Sequence, residues 1–551
     1  MKNTKKGISL ILLLFSTLIY MSCETTDLGL RDNPNGISEE QGDPDYLLNE
    51  IQTEFAVNVQ LFGRTGMEVT RITNMAGRNY ANAYGPAGQD ERWDRSYTSI
   101  IKNIRLMETK AASKGLKYNI AIGKVIEAFT IINLVDFYGD VPYSKALDIK
   151  NPNATPDPGA SIYAKAITLL NEANILFAGT STVTATFNDL YYNKSWSKWI
   201  NLSNSLKLKI YAQTRLVDAT ALAKFNGIIA SGNYIKVDAD DFQFEWGTSV
   251  ANPDFRHPIF VDNYLASPGG TTEYQSIWFM DYMKNSKSIP DPRMKFYFYR
   301  QVTSSTPFQT IQFLRCSAEP RPAHYSATTA YCSLDNGYWG RDHGNSEGIP
   351  PDGDKKTAYG LYPAGGRFDD NSYKVITNND GAKGDGITPI FLSSTVDFLR
   401  AELALNGGIG NPKSLITSGI NKSFTKVRGF IGRDKTAILT TVPATTLDAT
   451  YVANFEAAFD AGNTDDKMEL LSKEFFVSLF GNGIDAYNFY RRTGYPKKIQ
   501  PNIEPNPGQF IRSFFYPSNE TSSNTNLPQK SGVTTKVFWD NNPNSGFPVG
   551  N

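Results

Sequence analysis

Three histidines, His257, His324 and His343, are the side chains of this 551-residue chain best suited to general acid–base work. None sits in an H-E-x-x-H motif. No G-x-S-x-G elbow, P-loop or dinucleotide fingerprint is present. The three cysteines, Cys23, Cys316 and Cys332, have no C-x-x-C spacing and offer no structural zinc set. A glycosidase needs two carboxylates that can come from distant positions, so Asp and Glu leave a hydrolase open without singling out a pair. The stretch 335–354 holds Asp335, Asp342, Glu347, Asp352 and Asp354 among Gly and Pro. It is either an oxygen-rich Ca²⁺ site lacking EF-hand spacing or a solvated turn-forming loop. The sequence therefore predicts no catalytic residue and no cofactor apart from that calcium alternative.

Composition narrows the class. Apolar residues make up 40% and aromatics 13%, enough for a large core and incompatible with a disordered chain. Lys and Arg number 55 against 55 Asp and Glu, without the basic excess that nucleic-acid binding requires.

The first residues predict export. Lys2, Lys5 and Lys6 precede an apolar run from Ile8 to Ile19, too short to span a bilayer. The run ends at Met21-Ser22-Cys23, similar to a bacterial lipobox, although Tyr20 stands where Leu is usual. Cleavage before Cys23 would leave that residue to carry acyl chains, each buried CH₂ contributing about 0.8 kcal/mol of membrane affinity. The alternative is an incidental Cys in an ordinary signal peptide. Residues 1–22 contain three Lys and no acid, so the mature chain would carry 52 positive and 55 negative charges. Export would place Cys316 and Cys332 where a disulfide persists. Such a bridge would contribute about 3 kcal/mol in the chain-entropy model; two unpaired thiols are the alternative.

Periodicity predicts the elements that carry these residues. Residues 23–44 are Gly-, Asn- and Pro-containing and read as a flexible tether. From 45 to about 230 apolar residues recur at helical spacing. Phe55, Val59 and Phe62 begin the pattern, followed by Trp93 to Met107, Ile122 to Ile132, Ile162 to Ala173 and Trp199 to Tyr211. Between about 235 and 390, Gly, Pro, Asn and Asp punctuate short runs that predict strands at 242–246 and 296–299 within a loop-rich insert. Helices return at 396–405, 411–430, 447–461 and 467–480, before an irregular tail from about 500. The expected fold is mainly α: a tetratricopeptide-like frame of helical hairpins at 45–230 and 390–495 carrying the insert. Residues 45–551 form one domain.

Six segments in order resemble the SusD/RagB family of surface lipoproteins. Asp136 to Ala146 is similar to its YGDVPY-x-x-A segment, and Trp199 to Lys209, with Asp189 and Tyr191 upstream, to its NSLKL helix. Leu399 to Glu402 resembles its LRAE helix. Lys473 to Phe476 and Asp485 to Pro496 resemble its RRTGYP element. Phe515 to Glu520 with Val537 to Asp540 closes the order. Gly340 to Gly344 and Tyr362 to Gly366 are similar to a nutrient-binding branch. Read from the residues, these motifs are mostly structural: Gly139 and Pro142 force a turn that Asp140 can cap, and Arg491 and Arg492 can clamp carboxylates or carbonyls.

The resemblance implies a lipid-anchored protein on the outer face of the outer membrane of Bacteroidetes, touching the membrane through its lipid alone. It would act as a lid over a SusC-like TonB-dependent transporter, binding a glycan, or a peptide, and delivering it. Glu24 and Asp27 partly resemble the acidic surface-export signal of such lipoproteins. The family site lies on loops, one of them before the helix near Trp93. In this chain that loop contains Arg78, Asn79, Tyr80, Asn82 and Tyr84, with Tyr80 and Tyr84 as stacking candidates. The insert adds Tyr264, Tyr325, Tyr338, Trp339 and Arg341. For each aromatic the alternative is packing against the frame. A structural or adhesin-like lipoprotein and a surface glycan hydrolase remain the competing functions.

Overall fold

The computed structural model describes residues 42–148, 150–265, 273–304, 316, 319–345 and 354–543. Cys23, the export signal, most of the tether, Glu347 and Asp352 lie outside these residues. Helices dominate. The first half contains α1 (Pro44–Val69), α2 (Asp90–Asp94), a π-helical turn (Arg95–Ile101) and α3 (Lys102–Ser113). It continues with α4 (Lys117–Tyr138), α5 (Gly159–Ala178), α6 (Trp196–Thr214) and α7 (Ala221–Ser231). The insert supplies α8 (Ile277–Asn285). The second helical half comprises α9 (Ser393–Leu405), α10 (Pro412–Gly429), α11 (Thr445–Ala461), α12 (Thr464–Ser478) and α13 (Gly483–Thr493).

Consecutive helices pack pairwise, α3 on α4, α4 on α5, α6 on α7, α9 on α10 and α11 on α12, as a hairpin frame requires. α4 departs from the simple amphipathic expectation. From Ala121 to Tyr138 every residue except Lys124 is buried, because neighbours cover it on several sides. A helix that is apolar nearly all round belongs in the centre. Capping follows the sequence: Asn463 Oδ1 accepts from the Asp466 N–H (3.0 Å) and Asp466 accepts from the Asn463 N–H (3.1 Å), closing a capping box on α12.

The strands are β1 (Phe242–Glu245), β2 (Phe298–Tyr299), β3 (Ala358–Tyr359) and β4 (Ile387–Phe391). β1 pairs antiparallel with β4, Phe244 opposite Thr388, and β2 with β3, Phe298 opposite Tyr359. Phe296 and Tyr297, expected in a strand, instead end a helical turn from Met294. Cys316 and Cys332 are joined by a disulfide with Cα atoms 5.6 Å apart.

The motif segments converge on buried charge. Arg492 forks onto both Glu402 oxygens (2.9 and 2.7 Å), tying the RRTGYP helix to the LRAE helix. Asp136 accepts from Asn488 (2.6 Å), the Trp539 indole (3.0 Å) and the Tyr163 hydroxyl, joining α4, α13, the tail and α5. Arg491 lies between Tyr487 and Trp539 and donates to the Arg512 carbonyl (2.6 Å). Asp140 Oδ1 accepts from the Gly159 N–H at the start of α5 (2.8 Å), and Asp189 accepts from the Trp199 indole (2.8 Å). α1 and α13 cross where a Cβ on Gly66 would lie 2.1 Å from the Gly483 carbonyl oxygen, so both positions demand glycine.

Candidate ligand-binding site

One cleft of ≈ 370 Å³ opens beside the 77–84 loop. Its floor is a stripe of α1, Leu61, Arg64, Thr65 and Glu68, at the i, i+3, i+4, i+7 spacing of one helix face. Residues 74–77, Ala83 and Tyr84, Gly88 and Arg92, and Glu273 form the walls. Arg64 pairs with Asp262 (2.7 Å) and with Glu273. Arg92 donates to Thr65, to the Gly88 carbonyl (2.9 Å) and to Gln89 Oε1 (2.8 Å). The Tyr84 hydroxyl donates to Glu68.

Burial is the largest influence on both members of that last pair. It raises the Glu68 carboxyl against the opposing effects of the Tyr84 hydrogen bond, Arg64 and Arg92, and it raises the Tyr84 hydroxyl, helped by the Glu68 charge. Two further wall atoms, Asn74 Oδ1 and Arg92 Nε, are buried without a hydrogen-bond partner among the described residues.

The sequence-predicted residues divide sharply. Tyr84, half-buried with its ring edge-on to Phe514, lines the cleft. Arg78 is exposed and pairs with Glu504 (2.7 Å), Asn79 caps the short turn at Ala81 (2.9 Å), and Asn82 is exposed. Tyr80 is 0% exposed, its hydroxyl accepting from Arg71 (2.7 Å) and lying 3.2 Å from His343. Tyr264 is buried on Phe260 and donates to the Tyr359 carbonyl (2.6 Å). Tyr325 is buried and donates to the Pro501 carbonyl (3.1 Å). Tyr338 packs under the Arg300 guanidinium (4.8 Å), and Trp339 is 0% exposed in a cluster with the disulfide. Arg341 lies over Tyr274 (4.5 Å). The expectation that Tyr80, Tyr264, Tyr325, Tyr338 and Trp339 offer ring faces is therefore corrected: they form the core of the insert and of its seam with the frame. Sequence reasoning missed Arg64, Glu68, Arg92 and Glu273. The available signal was Arg64, Thr65 and Glu68 following directly on the apolar stripe of Phe55, Val59 and Phe62.

The ring nitrogens of His257 and His324 meet backbone, whereas the His343 ring meets the Tyr80 hydroxyl at 3.2 Å. His257 Nδ1 accepts from the Ile259 N–H (3.1 Å), and burial pulls the ring down to about 3; His324 meets the Asn502 carbonyl at 2.8 Å. Asp342 is buried and accepts from the Cys332 N–H (3.0 Å) and Gln500 (2.7 Å), its carboxyl pushed up to about 7 by burial. Asp335 is exposed and Asp354 pairs with Lys355 (2.9 Å). No group of three or more His, Cys, Asp or Glu among the described residues could hold a metal ion, and Glu347 and Asp352 of the calcium alternative lie outside them.

With that geometry in place, the sequence model of the SusD-like family described as starch-binding and associating with the outer membrane matches residues 34–517. The chain belongs to the SusD-like family. A chitin-binding SusD homologue from Flavobacterium johnsoniae has the same fold at 18% identity and a TM-score of 0.62, covering 91% of this chain and 100% of its own. SusD homologues from Bacteroides uniformis (18%, TM-score 0.62, 90% and 100%) and Bacteroides fragilis (18%, TM-score 0.61, 91% and 100%) match as well. No curated protein sequence matches it. As a SusD-like chain it has, among the described residues, no helix long and apolar enough to cross a membrane.

Proposed function

We propose that this SusD-like protein is a surface lipoprotein, anchored through Cys23, that binds an oligosaccharide in the α1 cleft and delivers it to a SusC-like TonB-dependent transporter. The observation that carries the site is the cleft itself, where charged and hydroxyl groups from α1, the 77–84 loop and α2 surround an open volume of ≈ 370 Å³. Its mix of donors and acceptors suits a ligand covered in hydroxyls. The family description as starch-binding and the chitin-binding relative with the same fold support a glycan. Recognition here rests on hydrogen bonds more than on stacking, since Tyr84 is the one aromatic lining the cleft among the described residues.

Binding of a saccharide array to a form beginning after Cys23 tests the reading. A positive glycan should lose about tenfold or more in affinity with Tyr84→Ala, the loss expected from one ring contact plus one hydrogen bond. Unchanged affinity discards the cleft. A transporter co-purifying with the intact chain, and lost with Cys23→Ala, tests the partner and the anchor.

A further inference from the structure

Tyr84 reaches the cleft with its hydroxyl already committed to Glu68. Several groups face Glu68: Arg64 from its own helix, Arg92 from α2, Tyr84 from the loop, Tyr359 from β3, and Glu273 across the cleft. Arg64 is engaged by Asp262 and Glu273, and Arg92 by Thr65, Gly88 and Gln89. Among the described residues neither arginine forms an ion pair with Glu68, although both act on it through space. The carboxylate is thus partly buried at a ligand cleft, with a phenol as its sole hydrogen-bond donor among them.

Resting on the saccharide reading above, we propose that Glu68 is a positioning residue whose protonation sets the hydrogen-bond polarity that Tyr84 offers, so that a neutral saccharide binds with uptake of a proton at Glu68. With Glu68 ionised, the Tyr84 O–H donates to the carboxylate and only the phenol's lone pairs face the ligand. With Glu68 protonated, its new O–H donates to Tyr84 Oη, and the Tyr84 O–H turns to the ligand as a donor. The proton comes from solvent, and no other covalent bond changes. Ring and glycosidic oxygens of a sugar only accept, so they favour the second state. A neutral ligand seated over the cleft also removes water from Glu68, which further penalises the charged form. The carboxyl, already held above its ordinary range by burial, is placed to respond. Ligand affinity and proton affinity are then linked, each strengthening the other.

Titration calorimetry with maltoheptaose and with chitohexaose, from pH 5 to pH 8 in buffers of different ionisation enthalpy, reads the linkage directly. The wild type should take up a fraction of a proton on binding, and its affinity should tighten roughly threefold to tenfold toward acid. Glu68→Gln, which has no titratable carboxyl, should bind without proton uptake and with a flat profile. Tyr84→Phe should bind more weakly and lose most of the uptake. Binding by the wild type without proton uptake, or an unchanged slope in Glu68→Gln, overturns the proposal while leaving the saccharide reading intact. No binding of either sugar at any pH overturns both.

Discussion

The frame and the cleft use the same kinds of residue in opposite ways. Away from the cleft, charged groups are buried and matched: Arg492 with Glu402 in the frame, Arg512 with Asp540 in the tail, and Arg293 of the insert with Asp291 and Glu474. In the cleft, Arg64 and Glu68 are half-buried at the opening, beside a buried Arg92. Buried pairs are expensive to break and rarely improve net stability, so their main contribution is to fix which helices meet. The segments by which this chain is recognised are thus fasteners, and none of them lines the proposed cleft.

The sharpest way to break that contrast is Glu402→Ala. It strands Arg492 in the core and should lower stability by about 3–5 kcal/mol, read by thermal or denaturant unfolding, while saccharide affinity per folded molecule is unchanged. Affinity falling with stability would show the two regions to be one unit. Next in size is Cys316→Ser, which opens the 16-residue loop and should cost about 3 kcal/mol in the chain-entropy model. That loss should appear as earlier proteolysis of the insert, with α-helical content kept.

Asp342 supplies a smaller, pH-dependent effect. Burial lifts its folded-state carboxyl to about 7 from an ordinary value near 4, so the folded protein binds the proton more tightly than the unfolded chain. Its contribution is therefore fully present below about pH 4 and is lost as pH rises through about 7. Unfolding from pH 5 to pH 8 should show a decline on the order of 2–3 kcal/mol that Asp342→Asn abolishes. A wild-type profile in Asp342→Asn would assign the slope elsewhere. The mildest change, Tyr84→Phe, removes one hydroxyl from the cleft. It should weaken saccharide binding by a few-fold, about 1 kcal/mol, and leave the unfolding midpoint almost unmoved; a large drop in stability would place Tyr84 with the fasteners.

How far these regions were legible follows from the same contrast. Helical spacing of Phe55, Val59 and Phe62, or of Ile162, Ala166 and Leu170, announces a frame because burying a face is a local, periodic demand. The charged fasteners were visible as motifs, although Asp140, expected to cap the turn it sits in, instead accepts from the Gly159 N–H at the start of α5. The cleft was not visible in the same way. Aromatics in a loop-rich insert look like ligand platforms, yet Tyr264, Tyr338 and Trp339 are consumed in giving that insert a core, as a segment with little regular secondary structure requires. The residues that line the opening come from α1, where a long-range fold contact, absent from any local pattern, decides that Arg64 and Glu68 face Tyr84 and Glu273.

The crossing of α1 and α13 at Gly66 and Gly483 has a consequence for ligand capture. Backbone rests on backbone there, with no side chain to act as a bearing. The helix that floors the proposed cleft is therefore seated on bedrock: it has no slack in which to roll or slip. Any accommodation to a bulkier or branched guest must come from the rim, and new appetites in related chains are expected to arise by rebuilding the rim while that seat stays put.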